Sequence, residues 1–175
     1  MPEDTAETMP EVDASIAKLT ELFRSHPAWV SAAGILRGRA ASAVYFSQHP
    51  GEPWQLVSDE GATRLRPGPA PSPDFAFRFT PASIDRLAAV EGGVGAFAVE
   101  LFSLIVETDP ELQVGFRIIA PFHRLARRGY FALLLAGGHE LLAFGAARGV
   151  RTLSDLRRLV KRLRANEPAS WEVAP

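Results

Sequence analysis

Asp74-Phe75-Ala76-Phe77-Arg78-Phe79-Thr80 and Leu112-Gln113-Val114-Gly115-Phe116-Arg117-Ile118 decide the fold class of this chain. In the first segment Phe75, Phe77 and Phe79 take alternate positions. In the second, Leu112, Val114, Phe116 and Ile118 do so, with Gln113 and Arg117 between them. Successive side chains of a strand point to opposite faces, so both segments read as half-buried strands of a mainly antiparallel sheet. Phe75, Phe77, Phe79, Val114, Phe116 and Ile118 are expected on one face, where the rings need either a layer of apolar side chains or an apolar ligand against them.

Outward from these strands the chain alternates between short sheet segments and amphipathic helices. Ala41–Gln48 and Trp54–Ser58 read as strands joined by the turn His49-Pro50-Gly51-Glu52-Pro53, and Thr63–Arg66 as a short edge segment after Asp59-Glu60-Gly61. Pro67-Gly68-Pro69-Ala70-Pro71-Ser72-Pro73 must be loop, because proline cannot donate to a helix or a central strand. Glu11–Arg24 spaces Val12, Ile16, Leu19 and Phe23 as a helix does, and His26-Pro27 ends it. Trp29–Arg37 reads as a further short helix. Thr80-Pro81 opens a helix that buries Ile84, Leu87 and Ala88, threonine serving as the cap. After Gly92-Gly93-Val94-Gly95, residues 96–107 form an apolar helix with Phe97, Leu101, Leu104 and Ile105 on one stripe.

Beyond the last strand, Pro121 opens a helix that includes Leu125, Tyr130 and Leu134. Gly137-Gly138 is a hinge, residues 139–147 a second short helix, and Thr152 caps a basic helix ending near Ala165. The organisation expected is one domain over residues 11–165, with a disordered tail at 1–10 and another tail at 166–175.

A chain of 175 residues with 47% apolar and 22% charged residues has the composition of a single globular domain. Zero cysteines exclude disulfides, thiolate metal sites and a cysteine nucleophile. The Met1-Pro2-Glu3-Asp4-Thr5 start lacks the features of a secretory signal, so a cytoplasmic location is the expectation. The net charge of −1 hides an asymmetry: residues 1–23 carry six acidic groups against Lys18, whereas residues 124–164 carry ten basic groups against Glu140 and Asp155. The window 129–147 is long and apolar enough to raise a membrane span, but Gly-Gly-His-Glu stands at its centre. A central carboxylate costs about 2.5–3.5 kcal/mol on insertion, so two short buried helices are the expectation there.

The motifs that would carry catalysis fail one by one. His139-Glu140-Leu141-Leu142-Ala143 starts like a zinc-protease helix but has alanine where the second histidine must stand. Gly92-Gly93-Val94-Gly95 lacks the lysine and hydroxyl of a phosphate loop and follows a helix. The Gly-x-Ser-x-Gly elbow of hydrolases is missing. Glu100 and Glu107 share a helix in the manner of a solvated face, and His26, His49 and His123 are scattered. The basic last helix has no aromatic residue to stack on bases, which argues against nucleic acid. The expectation is a protein that is not an enzyme and has no catalytic residue, metal or cofactor.

The order of elements resembles the sterol carrier protein 2 (SCP-2) family over roughly residues 11–147. The resemblance lies in a leading helix and a hairpin ending in Trp54-Gln55-Leu56-Val57. A Gly/Pro loop, the strand Asp74–Thr80, the helix Ser83-Ile84-Asp85-Arg86-Leu87 and the strand Leu112–Ile119 complete it. It implies an α+β fold, a five-stranded, mainly antiparallel sheet with helices on one face, and an apolar tunnel that takes acyl chains, sterols, phospholipids or other hydrophobic molecules. The chain departs from the family in its inserted apolar helix, Phe97 to Ile105, and in the basic helix 152–165.

The function expected is therefore carriage or presentation of a hydrophobic ligand in a cavity between sheet and helices. Ile84, Leu87, Phe97, Leu101, Ile105, Phe122, Leu125 and Leu133 are the expected helical walls, facing the six sheet residues named above. The alternative is an accessory interaction module that serves a protein partner or a second copy, its cavity filled by its own side chains. The last helix should dock its stripe of Leu153, Leu156, Leu159, Val160 and Leu163 on the domain. Its arginines would then attract anionic membranes weakly and only at low salt.

Overall fold

The computed structural model describes residues 14–59 and 61–165. The tails expected at 1–10 and 166–175 lie outside them. Five strands form one mixed sheet in the order β3-β2-β1-β4-β5: β1 Ala40–Phe46, β2 His49–Asp59, β3 Ala62–Pro67, β4 Phe75–Phe79 and β5 Gly115–Ile118. All neighbours are antiparallel except β1 and β4, which run parallel. The fold is α+β, with helices on the sheet face that carries Val44, Phe46, Leu56 and the phenylalanines of β4. That is the architecture implied by the resemblance to SCP-2.

The helices are α1 Ala14–Ser25, α2 Pro27–Ile35, α3 Pro81–Ala88, α4 Val94–Ile105, α5 Phe122–Arg127, α6 Tyr130–Ala136, α7 Gly138–Ala147 and α8 Leu153–Ala165. His26 joins the first two: its Nδ1 accepts from the Ala28 amide at 3.3 Å, capping α2, and its other ring nitrogen lies 3.0 Å from the Val90 carbonyl. Thr80 caps α3 as its sequence position predicts, accepting from the Ser83 amide at 3.1 Å while the Ser83 hydroxyl accepts from the Thr80 amide at 3.0 Å. Leu19, Leu22 and Phe23 of α1 close the main core over Val44, Phe46 and Phe79, together with Ile84, Leu87, Leu104 and Val114.

Three sequence expectations are corrected here. Residues 49–53 are not the hairpin turn: they extend β2, and Ser47-Gln48 makes the turn. The pairing slips between Val44 and Phe46, where Pro50 and Pro53 lack the amides a regular ladder would use. The last strand starts at Gly115, not Leu112, because the backbone before it is already engaged. The Leu112 and Gln113 amides donate to the Asp109 carbonyl, and the Val114 amide donates to Leu104 of α4 at 3.0 Å. The helix expected from Pro121 through Leu134 is two, broken at Gly129. That residue has φ +87°, and a Cβ on it would stand 2.9 Å from the Ile35 carbonyl oxygen.

Candidate functional site

The layer between sheet and helices does not close completely. An apolar cavity of about 220 Å³ remains. Its floor is the sheet: Phe75 and Phe77 of β4 with Phe116 and Ile118 of β5, continued by Ala40, Ser42, Leu56 and Ser58. The rings of Phe77 and Phe116, cross-strand partners in register, lie 5.1 Å apart, and those of Phe75 and Phe116 5.5 Å apart. One wall is α4, which presents Phe97, Ala98, Leu101, Phe102 and Ile105 as a single helical stripe. A second wall is α2, whose Ala28, Ala32 and Ala33 supply the room and Trp29 the edge. Leu125, Phe131, Leu133, Leu134 and Leu141 bring in α5, α6 and α7.

Of the residues expected at the ligand, Phe75, Phe77, Phe97, Leu101, Ile105, Phe116, Ile118, Leu125 and Leu133 line the cavity. Phe79, Ile84, Leu87, Val114 and Phe122 do not. The first four belong to the main core under α1, where α3, which carries Ile84 and Leu87, packs on α1 and α4. Phe122 turns toward Phe131, ring to ring at 4.7 Å, beneath the guanidinium of Arg157. The strand face thus serves two purposes: its Phe79 end is solid core, and its Phe75–Phe77 end borders the cavity.

Sequence reasoning missed the alanines of α2 as a wall. The signal was a run of small residues at helical spacing, Ala28, Ala32 and Ala33, opposite three phenylalanines. It also gave α8 no part in the cavity. Leu156, Leu159, Val160 and Leu163 close one side of it, so the helix docks by its apolar stripe and forms a wall as well. Its start is held by Thr152 and Asp155. The Asp155 amide donates to the Thr152 hydroxyl at 3.2 Å, and the Asp155 carboxylate accepts from the Thr152 hydroxyl at 2.8 Å and from the Thr152 amide at 2.9 Å. The Thr152 hydroxyl first, then Arg158 and the Arg151 amide, hold the Asp155 carboxyl down at about 2.

The one fully buried acid among the described residues, Asp74, lies beside this cavity. It precedes β4 and was read only as the start of a strand. The amide of Asp74 donates to Ala41 of β1 at 2.7 Å, and its carbonyl accepts from Ile119 and Ala120. Its carboxylate meets two arginines of the α5 segment. Arg128 donates to Oδ2, while Arg124 Nε lies 3.1 Å from Oδ1 in an ion pair without hydrogen-bond alignment. Arg124 also reaches the Ser72 hydroxyl at 2.8 Å and the Pro73 carbonyl at 2.9 Å. Tyr130, at the head of α6 and on the cavity lining, donates to Asp74 Oδ2 at 3.0 Å. This hub fixes the helices that form the far side of the cavity to the sheet.

Burial above all, and then the neighbouring Asp74 charge, push the Tyr130 hydroxyl far above its ordinary value of 10.0. The folded protein therefore keeps this proton where the unfolded chain has lost it. Tyr130 contributes its full stabilisation below about pH 10, and the contribution is lost progressively as pH rises above that value, at up to about 1.4 kcal/mol per pH unit. Urea unfolding of wild type and Tyr130→Phe at pH 7 to 11 measures this. The variant is expected to be about 1 kcal/mol less stable at neutral pH and to lose less stability than wild type above pH 10.

The window 129–147, expected to form two buried helices, does form two helices, bent by 99° at Gly137. They approach α4 closely: a Cβ on Gly95 would stand 2.3 Å from the Gly137 carbonyl oxygen, so only glycine fits there. Burial is incomplete, however. Leu135 is 70% and Leu142 59% exposed. Among the described residues no single helix is long and apolar enough to cross a membrane.

No protein-family model matches the chain, and no curated protein matches it. Among solved structures, a chain titled "UbiJ-SCP2 Ubiquinone synthesis protein" is similar at 20% identity over 76% of this chain and 92% of that one, with a TM-score of 0.41.

Proposed function

We propose that the protein binds and carries a hydrophobic molecule, or part of one, in the cavity between its sheet and its helices, without a chemical step. The observation that supports this is the lining. Aromatic and aliphatic side chains from the sheet and from six helices converge on one space, and few polar side chains, Ser42, Ser58 and Tyr130 among them, join them. Apolar ligand surface that leaves water for such walls contributes about 25 cal/mol per Å². Small-molecule sites typically measure about 300–1,000 Å³, so a space of about 220 Å³ suits the end of an acyl or isoprenoid-like chain or a compact ring better than a whole sterol. The same modest volume favours a second reading, an accessory interaction module whose cavity is largely filled by its own side chains.

Titration with a fluorescent fatty acid separates the two. The carrier reading expects saturable binding by wild type and at least a roughly tenfold loss in Ala98→Trp, which places an indole in the void from the middle of α4; a loss of that size is about 1.4 kcal/mol. Native mass spectrometry of the gently purified protein should show a co-purified apolar molecule. Absence of both binding and co-purified ligand would leave the accessory-module reading.

A further inference from the structure

Helices α6 and α7 are apolar on two sides at once. Leu133, Leu134 and Leu141 face the cavity, while Leu135 and Leu142 project from the same pair at 70% and 59% exposure, with Ala132, Ala136 and Ala143 also exposed. A helix apolar all round belongs in an apolar surrounding, and two exposed leucines on a pair of apolar helices exceed what the fold needs to bury its core. The chain that follows is basic. The Arg148 guanidinium lies 3.6 Å over the Phe144 ring at the end of α7, Arg151 is exposed, and α8 turns Arg157, Arg158, Lys161 and Arg162 to solvent.

We propose that the α6–α7 elbow docks the protein on anionic membranes. Leu135 and Leu142 enter the interfacial layer, the arginines after α7 meet acidic headgroups, and the cavity walled by these two helices is brought to the bilayer surface. The charge decides the occupant. An anionic bilayer complements the exposed basic side chains that follow α7, and a second copy seated on the leucines is the competing outcome of the test. Exposed His139 and Glu140 at the bend keep the elbow shallow. The exposed leucines add a salt-resistant part to the salt-sensitive attraction expected from α8 alone. The proposal rests on the carrier reading for its purpose, since a docked cavity can exchange its ligand with the bilayer, but not for its test.

The test is co-sedimentation of the full chain with vesicles of phosphatidylcholine and phosphatidylglycerol, and with phosphatidylcholine alone. Wild type is expected to bind the anionic vesicles at low salt and to retain part of that binding at physiological ionic strength. Leu135→Ser/Leu142→Ser should weaken partitioning about tenfold or more, from the apolar area withdrawn from the interface. Its urea midpoint should not change, because both side chains are exposed, and Leu142→Gln alone should give a several-fold loss. Arg148→Glu/Arg151→Glu should remove the preference for anionic over neutral vesicles. Wild-type sedimentation by the double serine variant, or equal binding to neutral vesicles, would overturn the proposal. So would a wild-type dimer in sedimentation velocity that the serine variant dissociates. Neither leucine lines the cavity, so fatty-acid binding in solution should be the same in wild type and the serine variant. Vesicle binding without fatty-acid binding would sink the carrier reading and leave the docking surface standing.

Discussion

Asp74→Ala is expected to lower the unfolding free energy by about 3–5 kcal/mol, the range for breaking a buried ion pair from one side. The carboxylate has no exposed surface, whereas the Arg124 and Arg128 side chains are 19% and 23% exposed. After truncation the arginines can still reach water, which places the loss nearer the lower end. The Tyr130 hydroxyl loses its acceptor at the same time, and an unpaired buried hydroxyl costs about 1–3 kcal/mol. Asp74→Asn keeps the volume and removes the charge, so it should recover only part of the loss. Urea unfolding followed by circular dichroism measures both variants. A loss below 1 kcal/mol for Asp74→Ala would mean that the helices after β5 are held by their apolar contacts alone.

Phe79→Ala should cost about 3–5 kcal/mol, and Phe77→Ala roughly half as much, although the two rings stack at 5.7 Å on one strand face. Phe79 is 2% exposed and packs against Phe23 in the closed core. Its removal leaves a new hole among atoms that cannot collapse into it. Phe77 already borders the cavity, so truncation enlarges an existing space and gives up only part of the transfer free energy. The alternation puts both rings on one sheet face; the cavity separates their costs. Chemical denaturation of the two single variants provides the comparison, and equal losses would mean that the cavity collapses around Phe77. Phe77→Ala should also bind the fluorescent fatty acid with altered affinity, while Phe79→Ala, so long as it is folded, should not.

The period-two pattern made the sheet legible, since a one-residue slip of either strand would part Phe75 and Phe77 from Phe116 and Ile118 onto opposite faces. The cap at Thr80 and the breaks at Pro27 and Gly137 were legible for the same local reason: each depends on the backbone chemistry of one or two residues. The cavity was half legible. Large side chains announce themselves as walls, but empty space is set by what is small, and Ala28, Ala32 and Ala33 carry no apolar weight in a helical pattern. The parallel pairing of β1 with β4 and the role of Asp74 could not be read locally. An aspartate before a strand looks like any turn residue until arginines from another part of the chain are seen to surround it. The expectation of two buried helices over 129–147 fails at the exposed Leu135 and Leu142, because a helix apolar on all sides gives periodicity no means of choosing a face.

The Asp74 hub also constrains when the acid can be buried. Its ties to α5 and α6, like the one from Arg124 to neighbouring Pro73, span 51 to 56 positions along the chain. Closing such a loop costs entropy before any contact rewards it. During synthesis the acid leaves the ribosome well ahead of both arginines and the tyrosine, and it can be buried only once they have followed. The core beneath α1 and the pairing of β1 with β2 need nothing from that later stretch, so the nascent chain can condense first around Leu19, Val44 and Phe46 with its aspartate still hydrated. The cavity lining extends to Leu163, so the space cannot be complete until the helices beyond β5 have joined the sheet.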